Sequence, residues 1–383
     1  MVESSTDEHR SPSDLVQLGF AERPDEWFFN DVFPSKIGGK PVWLNPDNPL
    51  KAEEVLCGEC GKPMPLLLQL YTPEDKPKEA FHRMLFKVYR SQMPENNPYY
   101  TAERIETDPE DNSSDVDILE IAEDEIRWER NPNVSGATLC VVCGLHGSKA
   151  CSRCKVAHYC SREHQIVDWT VGEHRQRCKT LETSVDKSLV ATSKAISKVL
   201  FPLSEILSEP EEASNSTDKE YEKYLSRAEM SHEPNSHEDL EDSESTVDKT
   251  FLEFQHRVAW YPQQVLRYAR TEYDRTETQP LYVSDQDKPT DQDISTCTNC
   301  GTARQFELQI LPQLLNHLGV DHSIPGALDW GSLFIYSCPD NCVGEDPSSE
   351  GDIATRQPYL AETLWRQNFS SDGMEQKLLS HRK

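Results

Sequence analysis

The 383-residue chain holds 67 acidic and 39 basic residues, a net charge of −28. Bulk charge of that sign repels phosphate and excludes DNA binding through general electrostatics. No run of about 18 apolar residues occurs, so no membrane span is expected, and the absence of GxxxxGK[ST] and GxSxG motifs leaves no common nucleotide or hydrolase signature.

The polar opening MVESSTDEHRSPSD has no signal-peptide pattern and reads as a disordered N-terminus over 1–14. With no secretory signal, twelve cysteines point to a reducing compartment, the cytoplasm with the nucleus left open, where clustered cysteines serve as metal ligands. Residues 15–101 read as an N-terminal β-rich half. They contain FPSKIGGKPVWL (33–44), the pair Cys57 and Cys60, and the apolar FHRMLF (81–86). Zinc takes four ligands, and this pair supplies two. His82 offers one further donor; otherwise the pair stands as free thiols.

An acidic linker is expected over 102–138. Residues 102–130 hold 12 acids and 3 bases, and 205–248 hold 15 acids and 3 bases; these runs carry −9 and −12, or −21 of the −28. Both are poor in large apolar residues, the composition of solvated, disordered segments. Free acidic segments suit a basic partner.

Between the runs, 139–179 reads as a zinc finger. CVVCGLHGSKACSRCKVAHYCSREHQIVDWTVGEHRQRC offers Cys140, Cys143, Cys151, Cys154, Cys160, His164, His174 and Cys178. They fall in pairs spaced CxxC, CxxC, CxxxH and HxxxC. Eight ligands complete two tetrahedral sites, and i, i+4 spacing puts the later pairs on one helix face. So short a segment buries too little core to fold without the metal. Tyr159 and Trp169 are expected to form its small core.

Residues 180–248 read as a helical and acidic disordered linker, and 249–383 as a C-terminal β-rich half. Cys297, Cys300, Cys338 and Cys342 would make a four-cysteine zinc site there. The two halves repeat one pattern. Cys57-x-x-Cys60-Gly61 is followed by Gln69, and Cys297-x-x-Cys300-Gly301 by Gln309, at the same offset. KPVWL (40–44) matches QPLYV (279–283), and FHRMLF resembles WGSLFIYSC (330–338), so the order strand, CxxC, strand, strand is expected twice. Where the first copy should continue to a second cysteine pair, KVYRSQMPENNPYY follows Phe86, as if a segment were missing.

The central segment resembles the MYND zinc finger, with His164 where most such fingers carry cysteine. The resemblance implies interleaved ligation: Cys140, Cys143, Cys160 and His164 on one zinc, Cys151, Cys154, His174 and Cys178 on the other. FPSKIGGKPVWL, CGECGKPM, the finger, PQQVLRYAR (262–270) and CTNCG…LDWGSLFIYSC together resemble the programmed cell death protein two family over 15–375. That resemblance implies an α+β fold in which two pseudo-symmetric β-rich zinc-ribbon-like halves form one domain, with the finger inserted. It also implies a non-enzymatic chaperone for a newly made basic small-subunit ribosomal protein, protein S two, with three structural zinc ions. A MYND-type transcriptional or scaffolding adaptor for proline-containing peptides is the alternative. Lys149, Arg153, Lys155, Arg162, Arg175 and Arg177 make the finger mildly basic, a general surface rather than a nucleic-acid reader. Trp43, Tyr282 and Trp330 are expected in the core.

Overall fold

The computed structural model describes residues 16–105, 125–183, 193–211, 249–270, 279–343 and 359–369. The N-terminus 1–15, residues 106–124 of the first acidic run and residues 212–248 of the second lie outside the described residues. Strands dominate, and the chain divides into two compact units. One is Arg23–Glu205 with Val343–Leu360; the other is Met1–Glu22, Ile206–Cys342 and Ala361–Lys383. The finger therefore belongs to the first unit. The strand Gln17–Glu22 groups with the second unit, where its ladder partner is Gln264–Tyr268, with Leu18 opposite Arg267. A side chain at Gly19 would meet Leu266 Cγ at 2.6 Å, so glycine permits the close pairing.

In the first unit, Lys36–Ile37, Leu68–Tyr71, His82–Phe86 and Tyr89–Met93 pair antiparallel in succession. Lys87 and Val88 close the last hairpin, with Lys87 at φ 60°. Ser204 and Glu205 add to the ladder opposite Ile37 and Lys36. KPVWL forms no strand, contrary to expectation. Pro41 has no amide hydrogen, and the Val42 amide donates to the side chain of Gln69 (2.9 Å) instead of to a neighbouring strand.

The linker expected over 102–138 is structured at both ends. Tyr100–Ile105 pairs with Glu125–Arg130, placing Glu103 opposite Arg127 and Ala102 opposite Trp128. Trp128 anchors this hairpin edge-on to His82 at 4.4 Å. Part of the linker expected over 180–248 is also regular: helix Ser193–Val199 and strand Ser204–Pro210. Leu200 enters the core of the first unit, which explains why that stretch is ordered despite its acidic neighbours.

In the second unit, Gln264–Tyr268, Gln305–Ile310, Ser332–Ser337 and Thr363–Gln367 continue antiparallel from Gln17–Glu22. QPLYV likewise forms no strand; the Leu281 amide donates to Gln309 Oε1 at 3.1 Å. The amphipathic helix Lys249–Trp260 buries Phe254 and Val258 against Val283 and Leu311. Glu211, from the expected free acidic run, is instead buried and held by Arg257 and Arg267 through four bonds of 2.6–2.8 Å. Trp43 and Trp330 are buried and Tyr282 is half-buried. No helix among the described residues is long and apolar enough to cross a membrane.

Candidate metal centres

Three of the CxxC pairs sit on knuckles closed by the same two backbone bonds, and at the fourth Cys151 N reaches Ala157 O, one residue further on. Cys140 N donates to Leu145 O at 2.7 Å and Gly144 N to Cys140 O at 2.9 Å. Gly144 takes φ 79°, in the left-handed region that glycine adopts without penalty. Cys297 and Gly301, and Cys57 and Gly61, repeat these bonds. At Cys151 the left-handed place is filled by Lys155, φ 54°. The knuckle aims two sulfurs one way; a second pair must come from elsewhere in the chain.

For Cys140 and Cys143 that second pair is Cys160 and His164. Ser161 caps the helix Arg162–Thr170 by accepting from His164 N (3.2 Å), which fixes the imidazole one turn beyond Cys160. Cys143 Sγ lies 3.5 Å from Cys160 Sγ, and His164 Nδ1 lies 3.2 Å from Cys160 Sγ and 3.7 Å from Cys140 Sγ. Cys151 and Cys154 meet His174 and Cys178 of the next helix, His174–Thr183. Cys151 Sγ is 3.9 Å from Cys178 Sγ, and Cys154 Sγ is 3.6 Å from His174 Nε2. All eight residues are buried. Tetrahedral bonds of about 2.3 Å place neighbouring thiolates roughly 3.8 Å apart, and the observed separations fit. Both sets interleave along the chain as the family resemblance implies.

The third set is Cys297, Cys300, Cys338 and Cys342, with sulfur separations of 3.2, 3.5 and 3.6 Å around it. Cys338 directly follows the strand Ser332–Ser337. Within each of the three sets the donor atoms lie within 4.8 Å of one another. Sulfur and imidazole donors at these distances fit zinc, and four donors per set close the coordination sphere.

Cys57 and Cys60 gain no such partners among the described residues. Cys57 is half-buried and Cys60 exposed. The Cys60 and Glu59 backbone amides hold the Cys57 thiol below its ordinary value. His82 is not their third ligand; it is fully buried, with Nδ1 2.9 Å from the Tyr71 hydroxyl.

Electrostatics around the sets is consistent with cation binding. Burial pushes His164 down, but the sulfurs of Cys140 and Cys160 outweigh it and raise its pKa to about 9. A cluster that draws a proton without metal would exchange it for the metal. His174 stays below its ordinary value through burial, which keeps the ring neutral and able to ligate.

Sequence reasoning missed the residues behind the ligands. Asp168, buried, lies 3.6 Å from His174 Nδ1, accepts from the Tyr159 hydroxyl at 2.8 Å and faces Arg177 at 3.5 Å. It therefore faces the Nδ1 side of the ring whose Nε2 faces the sulfurs. Tyr159 is buried and Trp169 packs 5.7 Å from His174. At the third set, Arg270 donates to Cys338 O (3.2 Å) and Pro339 O (3.1 Å), and Arg304 reaches Ser295 O and Thr296 O beside Cys297. Asp168 had a signal, the DW pair at the end of the helix before His174; the two arginines had none, since their partners are distant or backbone.

The finger is built into its unit. Trp43 Nε1 donates to Gly144 O at 2.8 Å, Lys40 Nζ to Val141 O at 2.6 Å and His146 N to Leu50 O at 2.9 Å. The ligand cysteines share one apolar cluster with Trp43, Phe86, Tyr100 and Tyr359.

Two interleaved Cys3His sets on two knuckles and two helices define a MYND-finger metalloprotein, with a four-cysteine set on a second β-rich unit. The MYND finger family matches residues 140–178. The N-terminal and C-terminal domains of programmed cell death protein 2 match 15–107 and 248–368. Programmed cell death protein 2 of Bos taurus is 36% identical over 93% of this chain and 97% of its own length, and that of Mus musculus 34% over the same shares. The chain belongs to the programmed cell death protein 2 family. A Schizosaccharomyces pombe protein named "Probable 20S rRNA accumulation protein 4" is 28% identical over 33% of this chain and 31% of its own length. No solved structure matches.

Proposed function

We propose that this chain is a non-enzymatic chaperone that captures a newly made basic protein of the small ribosomal subunit, small-subunit protein S two, and carries it toward assembly in the cytoplasm or nucleus. The supporting observation is charge: −21 of the net −28 falls in two runs, 102–130 and 205–248. Such segments would screen a basic client until RNA competes for it. The name of the S. pombe relative points the same way. In this reading the chain binds three zinc ions, two in the finger and one at Cys297, Cys300, Cys338 and Cys342, all structural because four protein donors leave no open position.

The two β-rich regions are one pattern written twice in this reading. Gln69 and Gln309 accept from matching amides, Val42 and Leu281. Leu70 opposite Leu85 matches Ile310 opposite Leu333, and Leu85 opposite Arg90 matches Leu333 opposite Arg366. Arg90 and Arg366 each bond the side chain two residues on, Gln92 and Asn368. Lys87 and Val88 then stand where the second copy has residues 335–364, including its second cysteine pair. That replacement accounts for the unpartnered Cys57 and Cys60.

The finger keeps a second reading, an adaptor for proline-containing peptides, favoured by Ile166 (51% exposed) and Val171 on its first helix. The test is capture by purified protein. The zinc-loaded chain should keep the basic ribosomal protein soluble at low salt and release it as salt rises. A client that aggregates equally with and without the chain contradicts the chaperone reading.

A further inference from the structure

An open-sided groove of about 700 Å³ in the first unit is lined by Trp27, Asn30, Asp31, Phe33, Tyr71, Ile126, Arg127 and Trp128. Its size lies in the range of built ligand sites. Trp27 is 75% exposed and Ile126 47%, although both could be covered by apolar neighbours in an ordinary core. The rings are held in place. Phe33 stacks on Tyr71 at 4.8 Å and meets Trp128 at 6.3 Å, and Tyr71 bonds buried His82. Trp27 precedes a short 3-10 turn pinned by Asp25, whose carboxylate accepts from Phe28 N (2.9 Å).

The groove lining carries one carboxylate, Asp31, and one cation, Arg127, with two further acids, Asp25 and Glu205, near Asp31. Asp31 accepts from Phe33 N at 2.8 Å and leaves its second oxygen open. Asp25, Asp31 and Glu205 share one neighbourhood: after burial, the other two carboxylates are what hold Glu205 above its ordinary value. Burial and the Asp31 charge together push the Tyr71 phenol up. None of these three acids makes an ion pair among the described residues. Arg127 is the one cation lining the groove. Aromatic faces beside unneutralised carboxylates attract a guanidinium or ammonium group through both ring quadrupole and charge.

We propose that this groove is the docking site for an extended basic segment of a protein partner, which places an arginine or lysine side chain against Trp27 and Trp128 beside Asp31. The assignment rests on, and deepens, the chaperone reading by locating where a basic client engages. Apolar contact with Ile126 and the ring faces would take the aliphatic stem of that side chain.

The test uses the full zinc-loaded chain and an acetylated decapeptide of alternating arginine and serine, read by fluorescence anisotropy at 50 mM salt. A peptide with citrulline for arginine keeps shape and removes charge. Trp27→Ala alters an exposed ring, and Asp31→Asn retains the acceptor for Phe33 N, so both variants should fold. Trp27→Ala is expected to weaken binding about fivefold and Asp31→Asn about threefold, with citrulline peptide binding at least tenfold weaker. Equal binding of the two peptides, or unchanged affinity in Trp27→Ala, overturns the assignment. The same variants are then assayed for ribosomal-protein capture. Intact capture with no variant effect on the peptide removes the groove and leaves the chaperone reading. Variant-sensitive peptide binding with no capture by the unaltered chain does the reverse.

Discussion

Asp168 is the buried carboxylate behind the Cys151 set. It accepts from the Tyr159 hydroxyl and faces the Arg177 guanidinium and the Nδ1 side of His174. Asp168→Asn should weaken zinc at the Cys151 set about 10- to 100-fold while leaving the Cys140 set tight, as read by chelator competition. His82 carries a pH dependence. Burial lowers its pKa from 6.5 to about 4, so the unfolded chain takes up the proton first as pH falls. The first unit therefore loses up to about 3 kcal/mol between pH 6.5 and 4 on this account. Denaturation of His82→Phe across that window should show a shallower loss. Glu211 tests the second unit. Burial raises its pKa, but Arg267 and Arg257 outweigh burial and hold it below the ordinary value. Glu211→Ala leaves both guanidiniums without their acceptor and should cost about 3–5 kcal/mol, seen as earlier unfolding of that unit alone.

At the scale of elements, legibility followed sequence distance. The finger's ligand pairs are local, at CxxC, CxxxH and HxxxC, so spacing alone exposes them. The pairing of Gln17–Glu22 was not legible, because its partner, Gln264–Tyr268, is remote and nothing in its six residues encodes that choice. KPVWL and QPLYV read as strands by composition, yet a glutamine side chain substitutes for the neighbouring strand in each. Composition called 102–130 a solvated run; its two ends pair because Trp128 finds an aromatic partner in His82. The finger's seat also changes what its removal would do. Cys140, Val142 and Leu145 share a core with Trp43 and Phe86. Zinc chelation should therefore raise amide exchange not only in 140–178 but around Trp43 and Leu50 as well. Exchange confined to the finger would mean that its contacts to this unit contribute little.

For the whole molecule, metal count and charge are the two decisive quantities. Native mass spectrometry should find three zinc ions per chain; a fourth would mean that Cys57 and Cys60 find donors outside the described residues. The two acidic runs are not uniform, since Glu211 is spent inside a core ion-pair cluster rather than offered to a partner. In the proposed reading, the remaining charge and the groove beside Asp31 would together engage a basic client. The most direct measurement is affinity purification of this chain from cells blocked in new ribosome assembly, with bound proteins identified by mass spectrometry. The account predicts one dominant small-subunit ribosomal protein in near-equal amount; a scatter of nuclear regulators with no ribosomal protein would contradict it.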